Sequence, residues 1–444
     1  MTRAARASET DVIVVGAGPA GSSAAWHLAR EGAHVTLLDR ARFPREKPCA
    51  EYLSPEASRI LSAMGALEAC EAAGAAHLAG MVIRAPSGAR IRGEFAAAQG
   101  FRAFRDRGLA LRRPVLDSIL LERARAAGVE VHEGEQVISV LRDSRGAVCG
   151  VGVRSAASGG PIDGDGADGA RDTTERELRA RLVIGADGLR STIARRIGVA
   201  RHALGPRRLA FIGHYRDVEG ITDFGEMHVE REGYAGFADV GHGLTNVAVV
   251  VPRASVRSAV AGNAAAYLEA WIAARPHLAP RFANATRATT VRVTGPFASH
   301  ASRAWGRGVA LVGDAADFFD PFTGEGIYAA LRGGELLAPF ALESLAADRP
   351  RDADAALRAY DRARRKAFRG KWAIERLVAL AVGVPALLER AAVTLEASPA
   401  MANLFVGVAG DFVPASEVLR PGYLARLVFG NLLRSRSSPL PLSP

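Results

Sequence analysis

The 444-residue chain is 49% apolar and 23% charged, the balance of a soluble globular protein with room for more than one core. Three cysteines without a C-x-x-C pair speak against a disulfide framework or a zinc site, and no apolar run approaches the ~18 residues of a membrane span. The net charge of +10 rests on arginine, since only Lys47, Lys366 and Lys371 among 57 basic residues are lysine. This reads as compositional bias, so no nucleic-acid partner is expected. The polar stretch from Met1 to Thr10 shows no apolar signal segment, and the cytoplasm is the expected compartment.

The first element is Asp11-Val-Ile-Val-Val-Gly16-Ala-Gly18-Pro-Ala-Gly21. Val12 to Val15 read as a strand buried on both faces. The G-x-G-x-x-G spacing assigns Gly16 to a tight turn, Gly18 to close approach of a pyrophosphate and Gly21 to helix-on-strand packing. Pro19 suits the first turn of the following helix, which runs to about Arg30. A second strand, His34 to Leu38, ends in Asp39, 18 residues after Gly21, where a carboxylate can accept both hydroxyls of an adenosine ribose. Strand, turn, helix and acid in this order predict a bound dinucleotide.

Arg40 to Ser54 form a basic, proline-containing loop beside the nucleotide cleft, and Pro55 opens a helix to about Met64. Residues 80 to 95 alternate as a hairpin around Pro86-Ser-Gly88. Arg112 to Gly128 is an amphipathic helix, and strands follow at 129–132, 136–141 and 147–154. The stretch 155–174, rich in Gly, Ala, Asp and Ser, is a hairpin tip, and Leu178 to Ile184 is the strand that returns the chain. Leu209–Tyr215, Gly225–Val229, Tyr234–Val240 and Thr245–Val251 then alternate as strands, with a helix near Val256–Ala274. From 324 onward the pattern is helical, broken by Pro385, Pro399, Pro414 and Pro421. The division is a nucleotide lobe over 8–205 with its hairpin at 129–180, an inserted sheet lobe over 206–295, a returning part of the nucleotide lobe over 296–345, and a helical region over 346–444.

Two later stretches repeat the strand-and-turn design. Leu182-Val-Ile-Gly-Ala-Asp187-Gly188 leads into a short helix, and Val309-Ala-Leu-Val-Gly313-Asp314 leads through Gly324-Glu-Gly326-Ile327 into a long one. An acid ending a buried strand, as Asp314 does, can accept from a polyol hydroxyl. The free N–H groups of the helix opened by Gly324 to Ile327 favour negative charge. Asp187 reads as a turn acid, and Glu325 serves either the first turn of its helix or a flavin.

Taken together, the three motifs resemble the para-hydroxybenzoate-hydroxylase-like FAD-dependent oxidoreductase superfamily, and within it the geranylgeranyl reductase family, over residues 11 to about 345. The resemblance implies an α/β fold: a Rossmann-like FAD-binding lobe, an inserted mixed β-sheet substrate lobe and a helical C-terminal region. It implies FAD as cofactor, NAD(P)H as electron donor, and FAD contacts at Gly16, Gly18, Ala20, Gly21, Asp39, Arg40, Cys49, Ala50, Arg113, Val137, Asp314, Gly324, Gly326 and Ile327. Lys47-Pro-Cys49-Ala50-Glu51 is similar to the family's Lys-x-Cys-Gly-Glu loop, with Ala50 in place of glycine. Cys49 then either delivers a proton at the flavin or is a small buried apolar residue. The family's Tyr-x-Trp-x-Phe-Pro run corresponds to Gly233-Tyr234-Ala-Gly-Phe237-Ala-Asp239, which keeps Tyr and Phe and lacks Trp and Pro.

Phe211, His214, Tyr215, His228, Tyr234 and Phe237 are the candidate lining of a substrate cavity, suited to a lipid-like or aromatic polyketide-like molecule. The expectation is an NAD(P)H-dependent FAD monooxygenase acting on a lipophilic small molecule. Reduction of prenyl double bonds is the alternative, and electron transfer without catalysis the third reading. The basic cluster from Arg358 to Lys371 reads first as a solvated helix face and second as a peripheral contact with anionic headgroups on the inner membrane face.

Overall fold

A computed structural model describes residues 10–156, 173–202, 207–256, 263–297, 299–318, 322, 324 and 326–434. The expected hairpin tip over 155–174 and Glu325 fall largely or wholly outside them.

The first lobe is built on a parallel sheet whose central strand, Thr10–Val15, lies between Val35–Asp39 and Thr173–Gly185. Val309–Leu311 and Glu130–Glu133 extend it on either side, also in parallel. Val12, Ile13 and Val14 are fully buried, as strands covered on both faces must be. The helix Pro19–Arg30 packs against the helix Gly326–Ala346, and Gly334 makes this possible: a Cβ there would lie 2.5 Å from the backbone nitrogen of Ala24. Glu135–Arg142 and Val148–Ala156 form an antiparallel extension from Thr173–Gly185.

The second lobe is a mixed sheet of Arg208–Arg216, Thr245–Pro252, Gly233–Asp239 and Phe224–Glu230, continued by Gly80–Arg84 and Arg90–Glu94. The hairpin that the sequence assigns to the first lobe thus belongs to the second, because Gly80–Arg84 pairs in parallel with Phe224–Glu230. Local alternation marks such a hairpin as a pair of strands but carries no information about a partner more than a hundred residues away. The helix expected near Val256–Ala274 is described over Ala264–Ala273, where Asn263 accepts from Ala266 N–H as its cap.

The C-terminal helices are Pro350–Gly383, Pro385–Glu396, Pro399–Ala409 and Pro421–Arg434, each with proline in its first turn. They close the free edge of the second sheet. Glu389, Glu396 and Asn403 accept the backbone N–H groups of Ser87, Arg90 and Glu94, each at 2.9 Å, which removes a template for edge-to-edge pairing. Among the described residues no single helix is long and apolar enough to cross a membrane. The pair Ala386–Glu396 and Pro399–Ala409 passes on composition only when joined across a 113° bend.

Candidate active site

The three sequence motifs meet at the C-terminal ends of the parallel strands. Gly16, at φ +101°, has no room for a side chain, because a Cβ would lie 2.4 Å from the carbonyl oxygen of Ala186 in the second motif. A Cβ on Gly313, in the third, would lie 2.8 Å from the Cβ of Ala20. Gly21 is excluded from carrying one more severely still, at 1.8 Å from Gly16 O. The turns that are far apart in sequence are therefore in van der Waals contact, and bulk at any of these glycines would separate them.

Gly18 is different. A Cβ there would meet only the guanidinium nitrogens of Arg45 and Arg113, at 3.4 and 3.8 Å. Two cationic side chains thus face the N-terminus of the helix Pro19–Arg30, which carries positive partial charge of its own. Arg113 is held by a bidentate pair with Asp117 at 2.8 and 2.8 Å, and Arg45 reaches the same carboxylate at 3.2 Å. Burial alone would lower the Arg113 pKa, but the Asp117 carboxylate outweighs it and holds the guanidinium charged. Asp39 accepts Ala17 N–H at 2.7 Å and Ala41 N–H at 2.9 Å, one on each oxygen, so each oxygen keeps lone-pair capacity. Arg40 is exposed, and the Val137 side chain lies in the core of the first lobe, which leaves its backbone as the only part able to face a ligand.

Deeper in the cleft lie Lys47, Cys49 and Asp314, all partly accessible although enclosed by the body of the protein. Burial raises the Asp314 carboxyl, against the attraction of Lys47 and Arg113, and no described residue hydrogen-bonds to it. Burial, with the charges of Arg45 and Arg113, lowers the Lys47 ammonium. Burial raises the Cys49 thiol, opposed by Arg113, and the sulfur accepts Glu51 N–H at 3.3 Å. The side chain of Asp187, by contrast, accepts Thr192 and Ile193 N–H at 2.6 and 3.2 Å, the turn role the sequence suggested. Gly324, at φ +71°, abuts Tyr52, and Gly326 and Ile327 begin the long helix beside the cleft.

Sequence reasoning did not single out Glu51. It is buried at φ +62°, an uncommon conformation for a non-glycine residue. One of its oxygens accepts Arg113 N–H at 2.9 Å. The other bonds His214 Nε2 at 2.7 Å and Asn246 Nδ2 at 3.0 Å. Asn246 also donates to the carbonyl of Cys49 at 2.9 Å. Thr289 Oγ1 accepts His214 N–H and so turns its own proton toward Nδ1, leaving Nε2 to donate to Glu51. A single carboxylate therefore fixes the Cys49 loop to both lobes. A signal was present: Asn246 is a polar residue inside an otherwise apolar strand.

The second sheet offers the cleft one face only. His214 and Asn246 share that face with Ile212, Tyr234 and Ala248, and Leu189 and Phe318, which follow the second and third turns, pack against it. Phe211 and Phe237 project to the opposite face, where Leu268, Trp271 and Ile272 of the helix Ala264–Ala273 cover them. His228 points the same way, 5.1 Å from the Phe237 ring and bonded to Glu226 at 2.8 Å. The expected substrate lining is therefore corrected: of the six residues named from the sequence, only His214 and Tyr234 are on the cleft side, and Tyr215 joins Phe211, His228 and Phe237 on the other. The period of two sends neighbours to opposite faces, and these strands are apolar on both.

A family model described as "FAD binding domain" matches residues 9–369. Digeranylgeranylglycerophospholipid reductase 1 of Methanopyrus kandleri is 33% identical over 348 residues, 77% of this chain and 82% of that protein. A menaquinone reductase of Mycobacterium tuberculosis is 29% identical over 345 residues, 74% of this chain and 75% of its own length. Among solved structures, a flavoprotein/dehydrogenase from Cytophaga hutchinsonii superposes with a TM-score of 0.76 at 20% identity, covering 96% of this chain and 98% of that one. The myxobacterial chondrochloren halogenase gives 0.74 at 23%, with the same coverage. At such identities these two structures establish the fold.

Proposed function

The chain belongs to the FAD binding domain family and is an FAD-dependent oxidoreductase, and we propose that it reduces carbon–carbon double bonds in a lipophilic, prenyl-bearing molecule. The sequence alone ranked hydroxylation first. The similarity to two proteins named as reductases of lipids supports the reverse order.

The residues present fit FAD. Arg45, Arg113 and the helix N-terminus behind Gly18 would hold the pyrophosphate, Asp39 the adenosine ribose, and Asp314, which lacks a protein partner among the described residues, a ribityl hydroxyl. The N-terminus of Gly326–Ala346 would face the flavin ring. When bound, FAD supplies the electron pair and one of the two hydrogens that a double bond takes up. The second hydrogen needs a protein acid, and Cys49 carries one. Its thiol stays protonated because burial raises its pKa, it keeps access to the cleft, and the Glu51 network fixes its loop. The Cys49 loop, fixed by the Glu51 and Asn246 hydrogen bonds at the cleft face of the second sheet, is the observation on which this reading stands. NAD(P)H is the electron donor we propose, and the cytoplasmic side the place of action.

Hydroxylation remains the second reading, favoured by the missing Trp and Pro in Gly233–Asp239. Turnover of a prenylated quinone or phospholipid by the flavin-loaded protein, with and without O₂, separates the two. Products that gain two hydrogens at equal rates anaerobically are expected. Products that gain an oxygen atom, formed only with O₂, overturn the reductase reading. Cys49→Ala is expected to lower turnover about a hundredfold while retaining flavin.

A further inference from the structure

The long helix Pro350–Gly383 divides its basic residues by use. Arg364 is committed to Asp317 and Asp361, and Arg365 to Asp361. Lys366 and Arg369 are exposed and make no ion pair among the described residues. They line a half-open cavity of about 700 Å³ between this helix, the first turns of Gly326–Ala346 and the segment 408–419. Its floor is apolar, with Ile374, Val408 and Val413. Its wall carries two further cations, Arg332, which is paired with Glu335 at 2.7 Å, and Lys371. Asp411, the acid in the lining, is already paired with Lys371 at 3.8 Å. Four cationic side chains against one carboxylate leave the lining net positive, most of all at the Lys366 and Arg369 rim.

The same side of the helix continues toward its C-terminal end. Arg362, Lys366, Arg369, Arg376 and Leu380 recur at the helical repeat and are all exposed. Past Leu380, which is 56% accessible, the next helix and the last expose Val393 and Phe429 at 41 and 51%. Exposed cations and exposed apolar side chains on these helices match the headgroup and acyl zones of a bilayer surface. We propose that the cavity is a phosphate site that receives the headgroup of an anionic lipid and so docks the C-terminal helices on a membrane surface. This rests on charge and shape alone and is independent of the reaction assigned to the flavin cleft.

The test is sedimentation of the full flavin-loaded chain with vesicles of phosphatidylcholine alone and of phosphatidylcholine mixed with phosphatidylglycerol, at low and high salt. Binding is expected only to the mixed vesicles, and weaker at high salt. The double substitution Lys366→Ser with Arg369→Ser is expected to weaken it about twenty-five-fold. Ala373→Trp keeps every charge and obstructs the cavity with a bulky ring, and is expected to weaken binding at least about fivefold. Retained flavin colour and melting temperature show that both variants fold. Unchanged sedimentation of the double variant overturns the proposal. Loss in the double variant with none in Ala373→Trp also overturns it, leaving diffuse adsorption to the helix surface. Calorimetric binding of inorganic phosphate without any vesicle binding assigns the cavity to a free anion and overturns the lipid.

Discussion

The two faces of the second sheet share their strands yet do different work. On the face covered by the helix Ala264–Ala273, Phe211, Val247 and Val249 are wholly sealed, and large side chains meet a matching helix. On the other face, Val229, Tyr234 and Val250 are sealed in a cluster with Ala392, Leu395 and Met401 of the C-terminal helices, while Ile212 and Ala248 retain 6 and 7% accessibility. Toward the cleft, His214 and Asn246 on this face clasp Glu51. One face holds the lobe together. The other joins the sheet to the C-terminal helices and fixes the Cys49 loop.

Substitutions on opposite faces break this comparison if they act alike. Phe211→Ala is expected to cost about 4 kcal/mol of stability, as large-to-small core changes do, with turnover per folded molecule unchanged; denaturant unfolding and steady-state kinetics read the two effects separately. Glu51→Ala should cost about 3 kcal/mol, because Arg113 N–H and the Asn246 amide lose their acceptor in a buried place. It should also speed alkylation of Cys49, whose loop is then untethered, whereas a merely stabilising residue would leave alkylation of the folded protein unchanged. Ala248→Leu on the cleft side should cost about 1–2 kcal/mol, less than Phe211→Ala, while raising KM about tenfold for a long substrate. Equal losses of stability from Ala248→Leu and Phe211→Ala would show that the two faces are packed alike.

The smallest effect lies outside the sheet and calibrates the rest. Burial would raise the Glu335 carboxyl, but hydrogen bonds from Arg59 and the charges of Arg332 and Arg59 hold it at about 2. Its contribution to stability is thus present above the ordinary glutamate range and lost as pH falls toward 2. Melting temperature measured from pH 5 downward should fall less steeply in Glu335→Gln than in the parent. Because the pair is partly solvated, the difference is expected to be under about 1 kcal/mol.

Much of this was readable in advance. The turns at Gly16, Asp187-Gly188 and Gly313 are short-range patterns whose steric demands appear in the residues themselves, and they meet as the sequence implied. The two-lobed plan and the proline-initiated C-terminal helices were equally local. What escaped was facing. Thr245–Pro252 is apolar at nearly every position, so alternation could not say which side meets the flavin, and choosing the largest aromatics selected the closed side. Glu51 escaped because its partners come from three separate segments. A carboxylate in a polar loop announces neither burial nor a left-handed backbone.

The hairpin Gly80–Glu94, threaded into the second sheet from the middle of the first lobe, bears on any attempt to transplant specificity. A chimera exchanging only residues 206–295 with a relative would seat foreign strands against a native Gly80–Arg84 and leave Glu389, Glu396 and Asn403 gripping an edge they no longer match. The exchangeable unit is three pieces long: the hairpin, the inserted strands and the helices that close their border.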